Sequence, residues 1–378
     1  MTSSRIYLSV PHMGGDELGF VNEAFSSNWL SSVGPNLDAF ESEVAAATGG
    51  THHALAVSSG TAALHLILRA IGVEHGDQVA VSSLTFAGSV FPILYQGAAP
   101  VFIDSENISG NIDPVLVEEY LHDSARRGAL PRALIAVHLY GQHADIDRIA
   151  AACSEYGVVL IEDAAESLGA TYKGRPTAST ADYAILSFNG NKIITTTGGG
   201  MVLARDPVQL ARMKKWANQS REPAVEYLHH EHGYNYRMSN VLAGIGRGQM
   251  RVLAERVAQR RAVFGRYVDA LGGEPGWTFQ GEAPWGTHTR WLTVAYLDGL
   301  ATGITAAKLV SILAEHEVEA RPVWRPMHTQ PLFCNARAIG GTIAERLYST
   351  GICLPSSSSL SETEQERVIR LVRQHGHH

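Results

Sequence analysis

One lysine in this 378-residue chain stands apart by its surroundings. Lys192 lies in SFNGNKIITTTGGGM (187–201), between two asparagines and ahead of a threonine run that leads into Gly198, Gly199 and Gly200. No other charged residue occurs between Asp182 and Arg205. A lysine that acts as a nucleophile has to lose its proton, and its ordinary pKa is about 10.4, so it needs surroundings that disfavour the ammonium. An uncharged, glycine-rich pocket is one such place. The same residues also fit a plain loop lysine between two strands.

A second stretch favours the chemical reading. VVLIEDAAESLGA (158–170) reads as a short buried strand that ends on two acids and runs into small residues. Asp163 falls just past the apolar run, where open α/β sheets place their ligands. An acid there and a shielded lysine 192 − 163 = 29 residues later suit pyridoxal 5′-phosphate (PLP). That cofactor needs a lysine to take its aldehyde and an acid to keep its ring nitrogen protonated.

The elements that would position these groups follow. HALAVSSGTAALHLILRAIGV (53–73) reads as strand (54–57), turn (58–60) and helix, with Leu64, Ile67, Leu68 and Ile71 at helical spacing. A small-residue turn opening a helix offers free backbone N–H groups and the positive dipole end to a phosphate. No lysine follows, so it is not a nucleotide P-loop. It also fits a simple strand-to-helix connection; beside Lys192 and Asp163 it assigns Gly60, Thr61 and Ala62 to the PLP phosphate. In 78–105 two more strands flank a helix, and Phe86 directly after the first could stack on the pyridine ring or be an ordinary core aromatic. In 133–157, His138 ends a strand as a supporting rather than a catalytic residue, and Asp145 reads as a helix N-cap. Alternating strands and helices continue to about Asp206, which predicts a large α/β domain with a mainly parallel sheet.

Further on, His229, His230, Glu231 and His232 are adjacent and point to different faces, which reads as an exposed loop rather than a metal site. Arg237 fits a structural ion pair or a clamp on an anion equally well. The stretch 239–272 reads as a long helix crossing to a smaller domain, with Arg251, Arg256, Arg260, Arg261 and Arg266 on a solvated face. A strand (291–297), a helix (305–318) and a last helix opened by the capping box Ser361…Glu364 complete that domain. The expected division is 1–240 for an N-terminal arm and the large domain, and 241–378 for the linking helix and small C-terminal domain. The proline-stiffened RPVWRPMH (321–328) suits a nucleotide diphosphate through Arg325 and His328, or is a structural loop packed on the large domain. The terminal HGHH reads as a frayed tail.

Taken together, SSGTAALHL (58–66), SLTFAGS (83–89), HLYG (138–141), EDAAESLGA (162–170), SFNGNKIITTTGGGM (187–201), GYNYRMSN (233–240) and RPVWRPMHTQPLF (321–333) make the chain resemble the DegT/DnrJ/EryC1/StrS sugar aminotransferases. These belong to the fold-type-I PLP enzymes, so the resemblance implies an α/β/α sandwich plus a smaller α/β domain. It implies transamination with L-glutamate as donor and a nucleotide-linked keto sugar as acceptor, for antibiotic or surface-glycan biosynthesis. SFNGNKIITT and the W-R-P-M-H loop look most like members that aminate C4 of a 4-keto-6-deoxy hexose on UDP or dTDP; C3-amination is the nearest rival. The resemblance also places Ser187 and Asn189 with the cofactor, Glu166 beside its ring, and Trp29 near the substrate. The family more often has Gln or His where Glu166 stands. Asn235 maps onto an asparagine that reaches the phosphate in the neighbouring subunit, which implies a homodimer with shared sites. Some superfamily members are dehydratases with histidine in place of the lysine, and Lys192 argues for transamination.

Composition fits an enzyme. Apolar residues make up 45% and charged residues 18%, and the balance of 30 − 37 = −7 argues against a general nucleic-acid binder. Cys153, Cys334 and Cys353 lie far apart without CxxC spacing, so neither a zinc site nor a disulfide framework is expected, and reduced thiols in a cytoplasm fit. Neither a signal peptide nor a membrane span is expected. Two rival classes stay open. A non-catalytic PLP-binding regulatory protein would bind the cofactor without reacting with glutamate. A Rossmann oxidoreductase would need GxGxxG after a strand, and GIGRGQ (244–249) breaks that pattern.

Overall fold

The computed structural model describes residues 5–375. Its large sheet has eight strands: β1 (His53–Val57), β2 (Gln78–Ser82), β3 (Ala99–Ile103), β4 (Ala133–Val137), β5 (Val159–Asp163), β6 (Tyr183–Ser187), β7 (Gly200–Ala204) and β8 (Arg337–Ile339). Their order is β1-β7-β6-β5-β4-β2-β3-β8. All neighbours are parallel except β7, which runs antiparallel to both β1 and β6. The central strands read as unbroken apolar runs because helices cover both faces, and all five residues of β4 are buried.

Side chains alternate along each strand, so the two faces build separate cores. Val79, Val81, Ile135 and Ile161 pack with Leu64, Ile67 and Leu68 of the Gly60–Ala70 helix and Trp216 of Pro207–Ala217. Ala80, Val101, Leu134 and Leu160 pack with Val117 and Leu121 of Pro114–Arg126 and with Ile146 and Ile149 of Ile146–Tyr156. The expected α/β/α sandwich with a mainly parallel sheet is present.

A second, antiparallel sheet joins Trp277–Phe279, Thr293–Leu297, Gly351–Leu354 and Arg321–Pro322. Helices Ala306–Glu315, Glu362–His375 and Leu253–Leu271 supply its core through Leu309, Val368 and Tyr267. Two segments tie it to the large domain across residue 240. Strand β8 returns to the edge of the large sheet. The Asn240–Arg251 helix packs on Glu17–Ser26 and Pro35–Ala47. The N-terminal arm also reaches the small domain, where Ile6 exchanges backbone hydrogen bonds with Glu317 and Glu319.

Several local expectations need correction. The stretch 239–272 is two helices, Asn240–Arg251 and Leu253–Leu271, broken at Val252. Arg256 and Arg260 are not on a solvated face; both are buried. Arg260 donates to the carbonyls of Trp291 (2.5 Å) and Ser356 (3.0 Å) and to Ser9 Oγ (3.0 Å). A planar guanidinium can serve several acceptors at once, which makes its burial tolerable. Asp145 precedes a helix but makes no side-chain cap, because its carboxylate accepts the Tyr172 hydroxyl at 2.5 Å. The capping box forms: Ser361 N–H donates to Glu364 Oε2 at 3.0 Å, and Glu364 N–H donates to Ser361 Oγ at 3.3 Å. Of the terminal HGHH, His375 closes the last helix, and 376–378 lie outside the described residues.

Candidate active site

The parallel strands end on one edge, and β5 delivers Asp163 there. The carboxylate is buried. Ser89 Oγ donates to its Oδ2 at 2.7 Å and the Ala165 N–H to its Oδ1 at 3.1 Å. Burial pushes its pKa up, while those hydrogen bonds and the charge of Lys192 pull it down. A buried carboxylate in that balance favours a cation or an N–H donor beside it.

Below it, a polar cluster fixes the strand. His138 donates its backbone N–H to the Asp163 carbonyl at 3.0 Å, and its Nε2 to Glu162 Oε2 at 2.9 Å. Glu162 Oε1 accepts the N–H groups of Thr180 and Ala181. Among the described residues, His138, His143 and Glu162 are the one His/Cys/Asp/Glu group with metal-like spacing, and hydrogen bonds already occupy the carboxylate. The His229–His232 run forms no such group: Glu231 there takes the Trp216 indole and pairs with Lys215.

Lys192 follows β6 on a loop closed upon itself. Its backbone N–H bonds to Asn189 O, and Phe188 pairs with both Gly199 and Thr196. The side chain is 12% exposed, with Nζ 3.7 Å from Glu166 Oε1 and 4.0 Å from the Trp291 ring centroid. Burial lowers the Lys192 pKa and pushes the Glu166 carboxyl up to about 7, while their mutual attraction opposes both shifts. Glu166 can therefore carry a proton near neutrality, 3.7 Å from an amine whose own pKa is lowered. Glu166 Oε2 accepts the Tyr140 N–H at 2.6 Å. Tyr140 is buried at φ +54°, a strained conformation for a non-glycine residue, stabilised by its surroundings.

The phosphate turn is built by close approach. Ser58, Ser59, Gly60 and Thr61 line the cavity above β5. The first N–H groups of the Gly60–Ala70 helix have no intrahelical acceptor, which leaves Gly60 and Thr61 as donors. Ala62 is held differently: its N–H goes to Ser59 Oγ at 3.0 Å, and the residue is not among those lining the cavity. A Cβ on Gly200 would stand 2.3 Å from the Ser59 backbone, so β7 can lie against the turn only as glycine. Gly200→Ala is expected to displace the turn and weaken PLP binding about tenfold or more, read by cofactor titration of the apoenzyme.

The cavity measures about 830 Å³ and also takes in Ser187, Asn189, Phe86 and Arg325. Phe86 is 61% exposed and packs against Trp324 at 5.6 Å. Arg325 lies on the rim, its guanidinium bonded to Thr329. Arg237 and His328 are engaged elsewhere. Arg237 is buried and paired with Glu41 at 2.6 Å and the Ala56 carbonyl at 3.0 Å, so it is structural rather than an anion clamp. His328 lies outside the cavity, with Nδ1 on Ser83 Oγ and Nε2 on Glu345. Trp29 and Asn235 are exposed and do not line this chain's own cavity. Sequence reasoning missed Trp291 and Tyr140, although Trp291 opens the stretch read as a strand (291–297) and Tyr140 stands within HLYG.

The cavity fits PLP at each contact it would need. It offers N–H donors at a helix start for the phosphate, a buried acid for the ring nitrogen and a desolvated amine for the aldehyde. Comparison with known proteins agrees. The DegT/DnrJ/EryC1/StrS aminotransferase family profile matches residues 11–373. The chain belongs to this family. EpsN of Bacillus subtilis (strain 168), named as a pyridoxal phosphate-dependent aminotransferase, is 49% identical over 97% of this chain and 95% of its own. The GDP-perosamine synthase of Caulobacter vibrioides is 37% identical over 98% of both chains. The crystal structure of the aminotransferase TlmJ from Streptoalloteichus hindustanus superposes with a TM-score of 0.88 at 29% identity over 98% of both chains. This DegT/DnrJ/EryC1/StrS member is therefore a PLP-dependent sugar aminotransferase with a fold-type-I architecture. Among the described residues no helix is long and apolar enough to cross a membrane.

Proposed function

We propose that the enzyme moves an amino group from L-glutamate to C4 of a 4-keto-6-deoxy hexose carried on a nucleoside diphosphate. PLP, when bound, supplies the aldehyde that carries the amino group and the ring that takes up the electron pair of the substrate carbon. Gly60, Thr61 and Ser187 would hold its phosphate, and Phe86 would offer a flat face to its ring. Asp163 would keep a proton on the ring nitrogen. The Nζ of Lys192 would hold the aldehyde carbon by condensation with loss of water and, when free, would take and return the proton at the substrate carbon. Glu166 lies within range of that amine and can hold a proton near neutrality.

The observation that carries this reading is that Lys192, Glu166 and Asp163 line the same cavity as Arg321, Trp324 and Arg325. At about 830 Å³ the space exceeds what the cofactor needs, and the guanidiniums suit a diphosphate. We place Trp29 and Asn235 at the partner's site in a homodimer. Their exposure supports this, together with the exposed apolar side chains of Phe25, Leu30 and Val33 beside Trp29.

The test offers 15N-labelled glutamate with 3-keto and 4-keto sugars on UDP, dTDP and GDP, the last because a relative is named for a GDP sugar. The label is expected in a 4-amino sugar nucleotide. Label only in a 3-amino product would favour the C3 reading. Loss of the label from glutamate into no sugar at all would refute the acceptor class.

A further inference from the structure

The indole of Trp291 contacts the lysine segment twice. Its ring centroid is 4.0 Å from Lys192 Nζ, and its Nε1–H donates to the carbonyl of Asn191 at 2.7 Å, immediately before the lysine. Trp291 does not come from the lysine loop. It precedes Thr293–Leu297 in the small domain and is buried. Its own carbonyl accepts the buried Arg260 at 2.5 Å, and its ring stacks at 24° on Tyr140 with centroids 6.3 Å apart. One rigidly held side chain thus fixes the backbone beside Lys192 and presents an aromatic face to its amine. Glu166 stands 3.7 Å from the same nitrogen.

An ammonium between a carboxylate and an aromatic face is stabilised by both, the first by charge and the second by the ring quadrupole. A lysine joined to a cofactor has no such ammonium; a free lysine regains it. We propose that Trp291 is a positioning residue that holds the side chain of Lys192 whenever it is free, keeping the amine in place for proton transfer and recapture of the cofactor. This rests on Lys192 being the cofactor-binding lysine. The titratable groups acting on the amine are Glu166 and Asp163. Tyr140 and Cys353 in turn act on Glu166 or lie beside it, and Glu319, Arg321 and Arg325 line the same cavity. A change at Trp291 alters none of these charges.

The experiment uses apoenzyme and added PLP. Condensation needs the neutral amine and releases one water, so the capture rate against pH reports the ionisation of free Lys192. Trp291→Leu is expected to move the midpoint about one pH unit toward acid, because the ammonium loses the aromatic face. Trp291→Phe keeps a weaker face and is expected to move it less, in the same direction. A tryptophan that only shapes the site would lower the rate at every pH and leave the midpoint in place, which would overturn the proposal. Should the leucine variant fail to fold, the phenylalanine variant decides by the same criterion. Reduction of the captured product and peptide mapping separate the two layers. A label away from Lys192 sinks the lysine assignment, whereas a label on Lys192 with an unmoved midpoint sinks the role of Trp291 alone.

Discussion

Lys192→Ala is expected to abolish turnover with glutamate and any keto sugar. Loss of the proton-transfer group alone removes a factor of about 10²–10⁴, and loss of covalent attachment adds to it. The fold should persist. Nζ makes no buried structural hydrogen bond beyond its approach to Glu166, whose carboxyl already tends to the neutral form. A matched thermal melt would confirm that the loss is chemical. Lys192→Arg is the sharper control, since it keeps the cation beside Glu166 and Trp291 but cannot act as the nucleophile at neutral pH. Both variants should be equally inactive in steady-state assays. Substantial activity in either would remove Lys192 from the chemistry.

Asp163→Asn should rank second. The amide keeps the shape: its oxygen can accept the Ala165 N–H, and the Ser89 hydroxyl, which can also accept, can turn to take the amide N–H, so the end of β5 should stay in place. What disappears is the negative charge. The expected loss in kcat is about 10²–10³-fold, the size seen when a preorganised electrostatic partner of the transition state is removed. PLP affinity should fall as well, because the ring nitrogen loses its charged partner. Stopped-flow measurement of the half-reaction with glutamate reads the chemical step directly. A variant with near-normal half-reaction rate would show that Asp163 only organises the strand.

Why were these two residues legible and others not? Asp163 and Lys192 are marked by local sequence: an acid at the end of an apolar strand, and a lysine in a stretch without charge. The central strands were legible for the same reason, since burial on both faces leaves unbroken runs such as ALIAV. The family resemblance carried Ser187, Glu166 and Asn189 to the cavity wall, where the structure also places them.

What escaped depends on contacts far apart in the chain. Arg260 and Arg256 look like members of a solvated helical face, yet the N-terminal arm folds over them: Ser9 accepts from Arg260, and the carbonyls of His12 and Met13 accept from Arg256. Arg237 could read as a clamp or a pair until Glu41, 196 residues away, was found against it. His328 reads equally as a diphosphate contact or part of a structural loop, and is bound on both ring nitrogens by Ser83 and Glu345. Trp291 gives no local hint, because its target belongs to another domain 100 residues earlier. The return of β8 to the large sheet is likewise set by tertiary pairing with β3 rather than by its three-residue sequence.

The central claim is that the cofactor is carried on one particular nitrogen. Reduction of the PLP-loaded enzyme with borohydride makes that linkage permanent, and digestion with mass spectrometry then locates it. The added pyridoxyl mass should appear on the peptide containing Lys192 and on no other, and should vanish in the alanine variant. Modification of a different lysine, or of none in protein that has bound PLP, would contradict the account at its root.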